Sequence, residues 1–208
     1  KCDLPELSGS GNLPGPVVGN VLMIPDDEAL LRRCADGDRQ ASAMLINQHS
    51  PRVFAIAQRM LGNREDAEDT VQDVFIKVFR HAGKWEAGKA KFTTWLHRVT
   101  VNQCYDRLRK KRETGMDDVP DMADDTEGPA AQLQSKQIET RVKEAIDELP
   151  ERQRAALILS HYEGLSNPET AEILDISVEA VESLLSRARR SLKKALTGER
   201  ATLMGRME

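Results

Sequence analysis

The sequence predicts an all-α fold of two small helical domains joined by a flexible acidic linker, the second a helix-turn-helix. Three observations carry that prediction. Apolar residues recur at helical spacing through most of the chain beyond residue 25. Aromatic residues are 4% and charged residues 31% of the 208, which favours helical packing of Leu, Ile, Val and Ala over a β-sandwich. Residues 113–134 hold seven Asp or Glu, no Lys or Arg, and Gly115, Pro120, Gly128 and Pro129, the composition of a tether between two bodies. The length allows each body its own core.

Residues 1–25 carry Pro5, Gly9, Gly11, Pro14, Gly15, Pro16 and Gly19 and read as a disordered extension. The apolar run 17–24 is broken by Gly19 and Asn20 and has no basic segment before it, so a signal peptide is not expected. No run approaches the ~20 apolar residues of a membrane span.

The first domain is placed at 26–112. Asp26 or Asp27 caps a helix running to about Ala35, and Gly37-Asp38 breaks and restarts it. Asp38 to Leu61 reads as a long helix, with Pro51 as a possible kink, ended by Gly62-Asn63. Asn63 caps the next helix. Glu65, Asp66, Glu68 and Asp69 fill its first turns and Lys77, Arg80 and His81 its last, which suits the helix dipole. Val71, Val74, Phe75 and Val78 form its core stripe. Gly83 and Gly88 then open a loop holding Trp85.

The segment 91–112 has two faces. Phe92, Leu96, Val99, Thr100, Cys104 and Leu108 lie along one side. Arg98, Asn102, Tyr105, Arg109 and Arg112 recur at steps of four, three, four and three along the other. That second face mixes guanidinium forks, an amide and a ring, groups suited to phosphates, base edges and unstacked bases. Residues 84–112 hold nine Lys or Arg against Glu86 and Asp106, although the whole chain has a formal charge of −4. The chain is therefore not globally basic; it carries a local polyanion-binding face beside an acidic tether.

The second domain is placed at 135–197, before a tail at 198–208. Helices are expected over Ser135–Glu148 and Glu151–Tyr162, with Pro150 at a helix start. The stretch from Leu165 to Arg190 then reads helix, short turn, helix. Ser166 with Glu169 forms a capping box, or Asn167-Pro168 marks the start. Ala171 is small where two helices cross, Asp175-Ile176-Ser177 makes the turn, and Ser177 caps the second helix. Val181, Leu184 or Leu185, Ala188 and Leu192 point inward. Glu179, Glu182, Ser183, Ser186, Arg187 and Arg190 point outward on a candidate recognition helix.

No catalytic constellation is present, and neither an enzymatic role nor a cofactor is expected. Cys2, Cys34 and Cys104 are too far apart for a CxxC, and His49, His81, His97 and His161 have no ligand spacing, so no metal site is expected.

These pieces follow a familiar order. From about Asp26 to Leu196 the chain resembles a bacterial extracytoplasmic-function (ECF, group 4) RNA polymerase sigma factor of the sigma-70 family. Three stretches carry the resemblance. Residues 66–80, Asp66-Ala-Glu-Asp-Thr-Val-Gln-Asp-Val-Phe-Ile-Lys-Val-Phe-Arg80, look like the polymerase-binding helix. Residues 92–102 with Asp106 and Arg109 look like the −10 recognition and melting segment. Leu149-Pro-Glu-Arg-Gln-Arg154 and the helix-turn-helix look like the −35-binding domain.

The resemblance implies a cytoplasmic, signal-responsive factor. It would bind core polymerase at the β′ clamp and the β flap, bring it to promoter DNA, help melt the −10 region, and be held by an anti-sigma factor. Asp66, Asp69, Gln72, Asp73, Phe75, Ile76 and Lys77 are the candidates for the clamp. Trp85, Lys91, Trp95, Arg98, Asn102, Tyr105, Arg109 and Arg112 are the −10 candidates; Trp95 lies close to the apolar stripe and has a core role as its alternative. Ser177, Glu179, Glu182, Ser183, Ser186, Arg187 and Arg190 are the −35 candidates. The linker's acids resemble a nucleic-acid mimic in the RNA exit path, or serve as a solvated tether.

Three departures stand out. Asp175 occupies a turn position where the family often has Gly. Glu182 and Leu184 stand where basic residues are common. Ser42 and Ile46 stand where the family often has aromatics. Two other readings compete: a helix-turn-helix regulator with a helical sensor domain, and a helical adaptor without a DNA role.

Overall fold

The computed structural model describes residues 26–86, 88, 91–115 and 130–204, with side chains of the last stretch described at 139–197. The expected extension at 1–25 and the acidic residues of the linker beyond Glu113 lie outside the described residues. Among those described there is no strand, and no helix is long and apolar enough to cross a membrane.

The first unit has four helices: α1 (Asp27–Ala35), α2 (Arg39–Leu61), α3 (Arg64–Ala82) and α4 (Phe92–Thr114). The starts of the first three are set by short side chains that satisfy otherwise unpaired amide donors, whereas Lys91, before α4, makes no side-chain cap bond. Asp26 accepts from the Glu28 amide, Asp38 from those of Gln40 and Ala41, and Asn63 from that of Asp66. Gly62 ends α2 in the left-handed region at φ 80°. Pro51 is accommodated inside α2, which continues through it. Leu30, Leu31, Leu45, Val53, Val74, Val78 and Leu96 are the fully enclosed centre of this unit.

The second unit contains α5 (Ala130–Asp147), α6 (Glu151–Leu157), a π-helical turn (Ile158–Tyr162), α7 (Asn167–Leu174) and α8 (Val178–Met204). Two expectations are corrected. The fifth helix begins at Ala130, five residues earlier than expected. The helix expected over Glu151–Tyr162 changes type midway, the Glu163 amide reaching back to the Ile158 carbonyl at 3.1 Å. A π turn leaves no mark in apolar periodicity, so the sequence pattern did not show it.

The two units are not separate bodies. Ile56, Ala57, Met60, Val101 and Cys104 of the first share one buried cluster with Ala155, Ile158, Leu159 and Ile173 of the second. The consequence appears on α4. His97 and Val101, outside the predicted apolar stripe, are 3% and 1% exposed, because a second unit covers the side that pattern leaves to solvent.

Candidate nucleic-acid and polymerase interfaces

On α3 the polar candidates divide between two sides. Gln72 is exposed and lines a shallow groove with Ser50, Pro51, Phe54, Arg64, Glu68 and Val71. Ile76, one turn further on, is 47% exposed, a large apolar side chain with no place in the core. The carboxylates lie elsewhere. Asp66, Asp69 and Asp73 converge on the Arg107 guanidinium of α4 at 3.3, 3.4 and 2.9 Å. Gln103 donates to Asp73 at 2.9 Å and accepts from Lys77.

Burial opposes charge at Asp66. Hydrogen bonds from Lys111 and Asn63, with the charges of Lys111 and Arg107, outweigh it and hold the carboxyl below its ordinary range. Phe75 is a correction. At 4% exposed it belongs to the core of the first unit, its position in the apolar stripe prevailing over the motif it sits in.

Among the α4 candidates, Lys91, Asn102 and Arg109 are exposed, and Arg109 pairs with Asp106 at 2.9 Å. Trp85 and Trp95 are half-buried in an aromatic cluster with His81 and Phe92. The His81 and Trp95 rings stack at 5.0 Å. Trp95 packs partly against the core of the first unit, and Trp85 leans on it edge-on at 5.6 Å. Arg98, Tyr105 and Arg112 turn toward the second unit. Arg98 donates to the Glu172 carbonyl of α7, Arg112 pairs with Glu151 at 3.0 Å, and Tyr105 packs on the shared cluster. Burial pushes the Tyr105 hydroxyl up to about 12.

The helix-turn-helix forms from local signals. Ser166 and Glu169 make a reciprocal capping box, with Pro168 in the first turn of α7, so both start signals act together. Asp175 adopts the left-handed conformation at φ 55° that the turn requires. Ser177 accepts from the Ala180 amide at 3.2 Å and starts α8. Val181, Leu185 and Ala188 are buried, while Glu179, Glu182, Ser183, Ser186, Arg187 and Arg190 are exposed along one open face.

Two residues outside the candidate sets hold the arrangement together. Arg107 is one; the spacing of Asp66, Asp69 and Asp73 on one α3 face was the available signal for it. Arg154 is the other, 8% exposed. It donates to the carbonyls of Met60 at 2.7 Å, of Leu149 at 3.3 Å and of Asp147. Burial lowers its pKa despite Asp147 and Glu151 nearby.

Comparison with known proteins adds the following. Residues 45–114 match the family model Sigma-70 region 2, and residues 139–192 match Sigma-70, region 4. The chain is 33% identical over 181 residues to the ECF RNA polymerase sigma factor SigE of Mycolicibacterium smegmatis, covering 83% of this chain and 70% of that one. It is 34% identical over 178 residues to the RNA polymerase sigma factor NccH of Alcaligenes xylosoxydans xylosoxydans, covering 82% and 94%. Among solved structures it resembles CnrH in complex with the cytosolic domain of CnrY, with TM-score 0.61, 25% identity and coverage of 83% and 97%. It also resembles RpoE in complex with the anti-sigma factor NepR from Bartonella quintana, with TM-score 0.58, 27% identity and coverage of 73% and 94%.

Proposed function

The chain belongs to the sigma-70 family, among the ECF RNA polymerase sigma factors, and on that premise we propose how its surfaces divide the work of transcription initiation. As a sigma factor it binds core RNA polymerase and directs it to promoters, acting by binding and not by catalysis of its own. The exposed Gln72–Ile76 side of α3 docks on the β′ clamp. The outward face of α8 reads the −35 duplex, and the second unit seats on the β flap. Asn102 and Arg109 of α4, with Lys91 just before it, hold the opened −10 strand, joined by Arg98, Tyr105 and Arg112. We assign the chain to group 4, because only residues 115–138 separate the two matched regions and leave no room for a further helical domain. An anti-sigma partner is proposed from the relatives solved with one, and a cytoplasmic location from the polymerase it serves.

The observation that carries this reading is the order of the two matched regions, the second presenting an uncovered helix-turn-helix face. A stand-alone regulator has no use for region 2. Co-purification with core polymerase and run-off transcription from a cognate promoter test it. Gln72→Ala with Ile76→Ala is expected to weaken core binding at unchanged helical circular dichroism. Undiminished binding would remove this surface from the assignment.

A further inference from the structure

The outward face of α8 changes sign along its length. Its first two turns carry Glu179 and Glu182 and no cation. Arg187, Arg189, Arg190, Lys193 and Lys194 follow, all exposed and with no acid among them. The basic part suits a phosphate backbone. The acidic part lies at the end that helix-turn-helix proteins bring to base edges.

The two carboxylates differ in their support. Glu179 lies in the first turn, where the positive end of the helix dipole favours it. Its own amide and the Ser177 hydroxyl hold its carboxyl below the ordinary range. Glu182 lies beyond the first turn, where the dipole effect has faded. Three and four residues away stand Val178, Glu179, Leu185 and Ser186, so no cation faces it along the helix and one like charge does. Among the described residues no hydrogen bond or ion pair engages it. No contact within the described fold compensates this charge, and a phosphate backbone would repel it. A local rule broken without compensation points to function.

At 3.6 residues per turn, Glu182 and Arg187 stand about 140° apart around α8 and about 7.5 Å apart along it. In a major groove they face opposite strands at different base pairs. A carboxylate only accepts. Guanine O6 and N7 and thymine O4 are acceptors and repel it, and adenine sets the acceptor N7 beside its N6 amino group. Cytosine offers its N4 amino group with no acceptor on its own major-groove edge. We propose that Glu182 is a specificity-determining residue of the −35 reader, accepting from the N4 amino group of one cytosine and penalising other bases at that position. The inference rests on the assignment of α8 to the −35 duplex. Grip and selectivity then come from different halves of α8. The basic half holds phosphates of any sequence, and Glu182 disfavours the complex until a cytosine meets it.

The test uses holoenzyme assembled from the full chain and core polymerase. Binding is measured to promoter duplexes varied one −35 base pair at a time, at two salt concentrations. Wild type is expected to prefer cytosine over thymine at one position by about tenfold. Glu182→Gln is expected to move the preference at that position to adenine, because an amide accepts from N6 and donates to N7, and to leave other positions unmoved. Glu182→Ala is expected to flatten the position and to tighten binding to mismatched duplexes several-fold. Arg189→Ala with Lys193→Ala is expected to weaken all duplexes alike and to lower the salt slope by about 2, with the cytosine preference kept. A Glu182→Ala holoenzyme that gains affinity equally on every duplex, its cytosine preference intact, overturns the proposal. So does one indistinguishable from wild type. A wild-type holoenzyme without preference at any −35 position sinks the assignment of α8 as reader, whereas preferences that no Glu182 variant moves sink only the cytosine contact.

Discussion

His97 shows how one side chain registers the packing of the whole. Burial is the main cause that lowers its pKa to about 4; Arg52 and His49 add to it and Glu163 opposes. The folded chain therefore refuses a proton that the unfolded chain accepts near 6.5. Stability is full above that value and falls as pH drops toward about 4, by roughly 3 kcal/mol in all. Urea denaturation at pH 7 and pH 5 should show this loss, and His97→Leu should flatten the slope. An unflattened slope would assign the acid sensitivity elsewhere. Arg154 acts through geometry. Its donors hold carbonyls from α2 and from the end of α5, so Arg154→Ala leaves buried acceptors unpaired and should cost about 3 kcal/mol by denaturant titration. Arg154→Lys should recover only part of that, since a point charge cannot span the same acceptors. Neither role was legible in the sequence, because both depend on which helix lies opposite.

The caps were legible at the level of single elements. Asp26, Asp38, Asn63, Ser166 and Ser177 all sit where their spacing to the first helical amides places them, since a cap involves only its own few residues. The open face of α8 was legible too, through the helical period that buries Val181, Leu185 and Ala188. Asp175 departs from glycine at a position with φ 55°, and Asp175→Gly should stabilise the chain by about 0.5–1 kcal/mol in thermal melts. Arg187 is the first guanidinium along the outward face of the recognition helix. Arg187→Ala should cost about 1–3 kcal/mol on a −35 library if the fork reads a base edge, with preference relaxed at one position. A variant with unaltered affinity, preference and salt slope would remove this face as the reader. The aromatic loop and the α4 face were read less well. Trp95 was placed by a motif and Trp85 by its Gly-bounded loop, while their contacts come from His81 of α3 and Phe92 of α4.

Across the molecule, the division into two helical units was visible in the composition, and their contact was not. Apolar residues that serve an interface have the same spacing as those that serve a core, so Ile56, Val101 and Ile173 carried no mark of which unit they would meet. The tryptophans offer a direct check. Both lie in the first unit, so their emission reports its unfolding alone. Ile173 lies in the second unit, 3% exposed in the shared cluster. Ile173→Ala opens a cavity that should cost about 2–4 kcal/mol. The tryptophan-detected midpoint should fall together with the circular dichroism midpoint. A tryptophan transition that stays in place would show the units to be energetically independent.

The π turn at Ile158–Tyr162 gives the molecule an indexing notch. One residue more in a helical circuit rotates everything after it by about 100° and advances it by about 1.5 Å. Deleting a single residue within 158–162 would therefore act as a change of heading. Glu163 and the helix-turn-helix beyond would keep their own shape and aim elsewhere. The bearing of the duplex reader relative to the first unit is thus encoded as a count of residues, at the same turn whose Ile158 and Leu159 side chains are buried in the shared cluster.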